Sequence, residues 1–290
     1  MYETPALAVI GGSGLYNFND LKDIKKIEVD TPFGKPSSPI TIGKLHDRPV
    51  AFLARHGIGH IYPPSEVPYR ANIYALKSLG VRRIVSVSAC GSLRESYAPG
   101  HIVIPNQVFD FTHQRKRSFF ETGLVAHISA ADPFCEALSD VLETATKESG
   151  ATYHRGANLI TIEGPRFSTK GESNLYRLWG IDIIGMTASP EVFLTREAEM
   201  CYTTMAHVTD YDVWRSSQEP VSVEMIIQTL NANLNLAQTI IKNMVTKIDL
   251  DSHCGCEESL KDALLTNQEH IDPTMLEKSS LLVKKYLGQP

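Results

Sequence analysis

The sequence predicts a single α/β domain. Short apolar runs of strand length alternate with stretches of helical periodicity. Several of these runs end in glycine or a small hydroxyl residue, as strands do where they deliver ligand-binding turns. No repeat, low-complexity tract or linker divides the 290 residues. One domain spanning 1–290, with a helical tail from about Glu257, is the economical organisation.

Composition removes several function classes. The net charge is -5 and the pI about 6.1, with no polybasic tract for nucleic acid or an anionic membrane. No apolar run approaches the ~20 residues of a membrane span. Met1–Pro5 leads straight into a strand-like segment without a basic leader, so a cytoplasmic location is expected. Five cysteines are few for this length and form no secretory framework.

Ala6–Ile10 reads as a buried strand running into Gly11-Gly-Ser-Gly-Leu15. Such a turn offers backbone N–H groups to an anion, and Ser13 adds a hydroxyl. The spacing is neither G-x-G-x-x-G nor Walker A, and a tight structural turn is the commoner explanation. Lys26–Asp30 and Ile40–Leu45 read as strands around the turn-rich Thr31–Pro39. Pro49–Ala54 delivers Arg55, His56 and Gly57. These form either an anion clamp of guanidinium and imidazole donors, or a surface arginine beside a satisfied histidine. Val67–Gly80 is helical. Arg83–Ser88 is a β-branched strand running into Ala89-Cys-Gly-Ser92, with a hydroxyl at Ser88. Cys90 has no histidine or acid nearby in sequence and reads as a small buried residue. Three strand ends offering hydroxyl, guanidinium, imidazole and bare N–H groups fit one small oxyanion such as phosphate.

His101–Pro105 and Gln107–Phe111 are further strands. Thr112–Glu121 reads as a loop, either mobile over a site or simply exposed. A helix spans Asp132 to about Glu148, with Pro133 in its first turn. The strand Ala157–Glu163 reaches Gly164–Thr169, where Phe167 either stacks on a planar ligand or packs in the core. After the helix Lys170–Trp179, the strand Ile181–Gly185 leads to Met186 and Thr187, at the start of a helix through about Glu199. A helix N-terminus with the Thr187 hydroxyl suits an anion, while Met186 suits a sugar face or the core. Val221–Val245 is a long amphipathic helix, and the tail beyond Glu257 has helical periodicity broken at Pro273. Cys254-Gly-Cys256 lacks zinc-ribbon spacing and reads as a strained disulfide or two idle thiols.

The sharpest signal is Asp210-Tyr-Asp212, after the apolar run Cys201–Ala206. In an extended chain residues i and i+2 face the same side, so both carboxylates share one space framed by Tyr211 and Trp214. Two like charges that close raise each other's proton affinity, and a carboxyl protonated near neutrality can donate to a leaving group. A capped turn explains the spacing equally well, and a metal pair is the outsider.

Taken together, Gly11–Leu15, Asp30–Pro36, Leu53–Gly57, Ser88–Glu95, Thr161–Ser168, Met186-Thr187, Pro190–Val192 and Thr209–Asp212 resemble the 5′-methylthioadenosine phosphorylases, in the trimeric branch of the purine nucleoside phosphorylase family. The blocks run from about Ala8 to Leu230 in the family's order. The resemblance implies a central mixed sheet forming a distorted barrel flanked by helices, assembled as a homotrimer or dimer of trimers. It implies that Ser13, Arg55, His56, Ser88, Ala89 and Thr187 hold phosphate. Met186 would lie against the ribose, with Phe167, Ser168, Cys90 and Gly91 around the purine. His127, Val223 and Ile227 would line the 5′ end, and Asp210, Asp212 and Ser88 would carry the chemistry. Some archaeal relatives bridge a Cys-x-Cys pair like Cys254 and Cys256 with a disulfide.

The implied reaction is phosphorolysis of 5′-methylthioadenosine to adenine and 5-methylthioribose 1-phosphate. Phosphate is the co-substrate, and no cofactor or metal takes part. Phosphorylases for inosine and guanosine place glutamate where Ser168 stands and asparagine where Asp210 stands, so this pocket is expected to prefer 6-aminopurines. A carboxylate facing a 6-carbonyl lacks a donor, at about 1–3 kcal/mol. The alternatives are a broader purine nucleoside phosphorylase acting on adenosine or inosine, a nucleosidase using water, and a dinucleotide-binding oxidoreductase or nucleotide sensor. The last is disfavoured by the missing fingerprint.

Overall fold

The computed structural model describes residues 3–287, apart from 13–14, 16–17, 19, 216–223, 225–227 and 229–233. The strands are β1 (Leu7–Gly11), β2 (Lys22–Ile27), β3 (Ile40–Leu45), β4 (Arg48–Ala54), β5 (Arg83–Ser92), β6 (Ile102–Phe111), β7 (Tyr153–Ile162), β8 (Ile183–Gly185) and β9 (Cys201–Asp210). They form one mixed sheet in the order β2-β3-β4-β1-β5-β8-β7-β6-β9. Because β9 also pairs with β5, the strands β5, β8, β7, β6 and β9 close into a barrel. The remaining strands extend from it as an open wing. This is the distorted barrel that the resemblance implies.

The described helices are α1 (Tyr69–Ser78), α2 (Glu136–Glu148), α3 (Lys170–Leu178), α4 (Ala188–Glu197), α5 (Leu234–Lys247) and α6 (Pro273–Leu287). Side-chain alternation along β1 assigns each face a helical layer. Leu7 and Val9 join the core packed by α2 and α5, while Ala8 and Ile10 join the core packed by α1 and α4. A third cluster draws Cys90, Val103, Leu159, Ile183, Ala206 and Val208 from all five barrel strands, so it fills the barrel. No helix among the described residues is long and apolar enough to cross a membrane.

β1 is parallel to β4 and β5, and β5 is parallel to β9. Their carboxyl ends therefore share one edge of the sheet. Gly11, Ala54, Ser88 and Asp210 are delivered to that edge, where open α/β sheets bind ligands.

Several elements depart from the sequence reading, each for a local reason. β2 begins four residues before Lys26 and ends at Ile27, not Asp30. It is an exposed edge strand, so nothing forces its apolar residues into a readable alternation. His101–Pro105 and Gln107–Phe111 are one strand, β6, with irregular register around Pro105. A proline cannot donate to the ladder, and a bulge absorbs it. The second helix starts at Glu136, with Cys135 rather than an earlier residue at its N-cap. Pro273 opens a helix rather than breaking one, and Asp272 caps it by accepting the Thr274 and Met275 N–H groups.

Candidate functional site

The two aspartates stand at the mouth of the barrel. Asp210 ends β9 on the same strand face as Ala206 and Val208, which fill the barrel interior. Beside it β5 carries a bulge: Cys90 pairs with Val208, and Gly91 then pairs with Asp210. A Cβ on Gly91 would stand 3.0 Å from Asp210 Oδ1 and 3.3 Å from the Asp212 Cβ. Glycine here lets the backbone approach the carboxylates closely.

The pair is held differently from the sequence expectation. Asp212 is not extended; its φ is 49°, in the left-handed region. Asp210 Oδ1 accepts the Asp212 N–H at 2.7 Å, closing an Asx turn. Asp210 Oδ2 accepts the Thr209 hydroxyl at 2.6 Å. The capped turn and the acid pair are thus the same arrangement. Asp210 is 5% exposed, and burial pushes its carboxyl up to about 6. The neighbouring Asp212 charge adds only a lesser push, so desolvation rather than like-charge repulsion poises the acid.

Burial raises the Asp212 carboxyl too. The Ser168 and Ser173 hydroxyls lie close enough to lower that carboxyl against its burial, but none of the three groups makes a well-aligned hydrogen bond among the described residues. Buried polar atoms left without partners are costly unless a ligand completes them. Tyr211 and Trp214 frame the turn by tying it down. The Tyr211 hydroxyl donates to Glu95 O, the Trp214 indole donates to Ser92 O at 2.8 Å, and Arg177 stacks over the indole at 3.6 Å. Cys90 lies inside the barrel, where burial pushes its thiol well above the usual range.

The second group is built on Arg55. Its guanidinium is 2% exposed. Nε donates to Glu191 Oε1 at 2.8 Å, and Nη2 donates to Glu191 Oε2 at 2.9 Å and to Ser86 Oγ at 2.6 Å. Nη1 reaches Val87 O at 3.3 Å, which leaves one of the five N–H donors without an acceptor among the described residues. The fork expected to grip an anion is therefore spent on Glu191, and a single Nη1 hydrogen remains. The Tyr202 hydroxyl donates to Glu191 Oε2 at 2.8 Å and completes the anchor. Ser88, two residues beyond Ser86 on β5, faces the same side.

His56 differs from the donor expected of it. Burial, reinforced by the Arg55 charge, lowers its imidazole to about 4, so the ring is neutral. Nδ1 faces Tyr62 O at 2.9 Å and must carry the proton, because a carbonyl only accepts. Nε2 is left as an acceptor.

Thr187 is 8% exposed, and its hydroxyl caps no helix N–H. The helix α4 does not run smoothly from it, because Ser189 is non-helical at φ -96°, ψ 135°. Pro190 disfavours the helical conformation at the residue before it. Met186 and Phe167 are half-buried, Met186 against the cluster around Ile160 and Tyr176. His127 is exposed, and its backbone N–H donates to Ala263 O in the C-terminal segment. Ser13, Val223 and Ile227 lie outside the described residues.

Two contributors escaped the sequence reading. One is Glu191, seen there only within a family block. The other is Arg115, placed in a loop taken as mobile or exposed. Arg115 is 7% exposed. It pairs with Glu163 at 2.8 Å and donates to Met186 O and Ser189 O at 2.7 Å and to Glu163 O at 2.7 Å. It pins the ends of β7 and β8 together beneath the site. An arginine within the basic run Arg115-Lys116-Arg117 of a polar loop gives no sequence signal of burial.

A buried acid, a neutral imidazole acceptor and a spare guanidinium donor on one sheet edge suit transfer between an oxyanion and a nitrogenous leaving group. The chain belongs to the phosphorylase superfamily, which it matches over residues 6–246. Within that family it is similar to proteins named as methylthioadenosine or adenosine/methylthioadenosine phosphorylases. It is 49% identical over 282 residues to the S-methyl-5'-thioadenosine phosphorylase of Geobacter sulfurreducens, covering 97% of this chain and 99% of that one. A methylthioadenosine phosphorylase crystal structure from an Antarctic soil metagenomic library superposes with a TM-score of 0.92, at 45% identity over 97% of this chain and 99% of the other. A Schistosoma mansoni adenosine/methylthioadenosine phosphorylase variant in complex with methylthioadenosine gives 0.83, at 35% identity over 89% and 96%.

Proposed function

We propose that the protein splits 5′-methylthioadenosine with inorganic phosphate, giving adenine and 5-methylthioribose 1-phosphate. The observation that carries this reading is Asp210, a buried carboxyl raised to about 6 at the barrel mouth, with buried oxygens of Asp212 and Ser168 beside it. As the glycosidic bond stretches, negative charge builds on the purine and positive charge on the ribose. Asp210 delivers a proton to N7, so adenine leaves neutral. Asp212 and Ser168 complete their hydrogen bonds on the same base, with Asp212 accepting from an amino group. Phe167 and the Gly91 backbone border the purine, and Met186 lies under the ribose.

Phosphate sits toward β1, β4 and β5, between Ser88, Ala89 and Thr187, and the family resemblance adds Ser13 to that set. The spare Nη1 hydrogen of Arg55 donates to it. The phosphate dianion present near neutral pH carries one proton, and His56 Nε2 accepts that proton's hydrogen bond. This turns a phosphate oxygen toward C1′, where it captures the ribosyl cation. Positioning and electrostatics do the work, and each role falls to a side chain of the protein. Inorganic phosphate is the co-substrate, and no organic cofactor is called on. His127, Val223 and Ile227 at the 5′ end, a trimeric assembly and a cytoplasmic location belong to the same reading.

The test is base release from methylthioadenosine, adenosine and inosine, each with and without phosphate. Phosphate-dependent adenine release, fastest from methylthioadenosine, is expected. Release independent of phosphate would make the protein a nucleosidase, and faster release from inosine would refute the role given to Asp210 and Asp212.

A further inference from the structure

Four cysteines from three distant segments of the chain meet at the end of β9 opposite the reaction site. Cys201 opens β9 and Cys135 is the N-cap of α2. Cys254 and Cys256 come from the loop after α5. All four sulfurs lie within 4.8 Å of one another, with Cys201–Cys254 at 3.2 Å and Cys135–Cys254 at 3.9 Å. All are free thiols, and all but Cys254 are buried. The remaining cysteine, Cys90, lies in the barrel and takes no part.

We propose that these four cysteines form a structural tetrathiolate site for a zinc ion. Zinc takes four thiolates at ~2.3 Å in a tetrahedron, whose sulfur–sulfur edges are then ~3.8 Å. The observed separations bracket that edge, so small adjustments seat the ion. Soft thiolate donors select zinc over harder cations. Binding forms four Zn–S bonds and releases four protons to solvent, leaving a centre of charge 2−. Two features offset that charge. Arg196 Nη1 donates to Cys256 Sγ at 3.4 Å, and Cys135 stands at the positive end of the 13-residue helix α2.

The loop that presents Cys254 and Cys256 is already stapled to the same place. Arg83 donates to Asp249 O at 2.8 Å and to Ser252 O at 3.1 Å, and Arg82 pairs with Glu257. The ion would lock α2, β9 and the start of the C-terminal tail together, at a point where 119 and 53 residues separate the partners. The one-residue spacing of Cys254 and Cys256 failed as a zinc signature because the other two ligands come from elsewhere in the chain. Cys201 and Asp210 end opposite sides of a ten-residue strand, ~30 Å apart. The ion is therefore structural and takes no step in the reaction.

The experiment is elemental analysis of the full-length protein purified under reducing, metal-free conditions, with X-ray absorption at the zinc edge. One zinc per chain with four sulfur neighbours at ~2.3 Å is expected. Zinc should leave when a mercurial blocks the thiols, and chelation should lower the melting temperature. Cys256→Ser is expected to lose the zinc. If that variant fails to fold, the metal count and absorption spectrum of the parent still decide the matter. Metal-free protein whose thiols titrate freely and take up no added zinc overturns the proposal. So do disulfides found by mass spectrometry after non-reducing purification, if reduction and added zinc do not restore one ion per chain. Iron in place of zinc overturns the choice of metal.

Discussion

The two ends of the candidate site solve the problem of buried polarity in opposite ways. At the Arg55 end the charge is paired before any ligand arrives. Four of its five donors are engaged, and Glu191 takes donors from both Arg55 and Tyr202. At the Asp210 end the balance is left open. A carboxyl is desolvated without a counter-charge in its immediate contacts, and oxygens on Asp212, Ser168 and Ser173 are buried without well-aligned hydrogen bonds among the described residues. The first arrangement makes stability and function rise and fall together. The second sets them against each other, because the buried polarity that costs stability is what favours substrate binding and proton transfer.

The largest expected effect breaks the Asp210 end. Asp210→Asn should cut turnover with methylthioadenosine by roughly 10²–10⁴-fold, the range for loss of a positioned general acid. The same substitution should stabilise the protein. The folded value of about 6 lies above the unfolded 3.8, so the group favours folding below 3.8 and that contribution is lost as the pH rises through about 6. At neutral pH the buried, ionised carboxylate therefore costs up to about 3 kcal/mol relative to acid. Denaturant midpoints of the two proteins at pH 5 and pH 8 check this: the variant's advantage should grow with pH. The kcat/KM of the parent should fall above about pH 6 if the protonated form is active. A variant with parental turnover would remove Asp210 from the chemistry.

Next comes Glu191→Gln, which strands the Arg55 charge in the interior. Breaking a buried pair by removing one partner costs about 3–5 kcal/mol. The denaturant midpoint should drop accordingly, and the KM for phosphate should rise while the KM for nucleoside holds. An unchanged midpoint would show that Glu191 does not anchor this end. Here stability and function fall together, opposite in pattern to Asp210→Asn.

Ser168→Ala is a smaller probe of the same contrast. It removes a buried hydroxyl that makes no well-aligned hydrogen bond among the described residues, so stability should change little. Nucleoside binding should weaken by about 1–3 kcal/mol if the hydroxyl is completed by the base. Isothermal titration with a non-reacting nucleoside analogue measures it, and unaltered affinity would mean that Ser168 faces no ligand.

How much of this was legible in the chain follows the same physical divide. β1, β4 and β5 announce themselves because apolar runs ending in small residues have few other uses in an α/β protein. The aspartate pair was legible as chemistry but not as geometry. Its i, i+2 spacing suggested an extended chain, whereas Asp212 turns left-handed and uses the Asp210 side chain as a turn cap. Local spacing cannot report desolvation, so mutual repulsion looked like the source of the raised proton affinity when burial is the larger cause. The partners of Arg55 and Arg115 were illegible for a related reason. Glu191 lies 136 residues from Arg55, and Glu163 lies 48 from Arg115. Only the sheet order and the helix packed on it bring such pairs together. The four cysteines were hidden in the same way.

The finest test of the contrast is Gly91→Ala. The added methyl would sit 3.0 Å from Asp210 Oδ1, 3.0 Å from Ile184 Cγ2 and 3.3 Å from the Asp212 Cβ, so the aspartates must shift by a few tenths of an ångström. No such contact reaches Arg55. Misplacing a reacting group by a full ångström costs about 10²-fold, so a shift of this size should cost about tenfold in kcat/KM for the nucleoside. The KM for phosphate should stay within about twofold, roughly 0.4 kcal/mol. Loss spread evenly over both substrates would mean that the two ends are coupled through the β5 bulge. Loss confined to the nucleoside would show that the bulge sets Asp210 alone, with the Arg55 end held independently by Glu191.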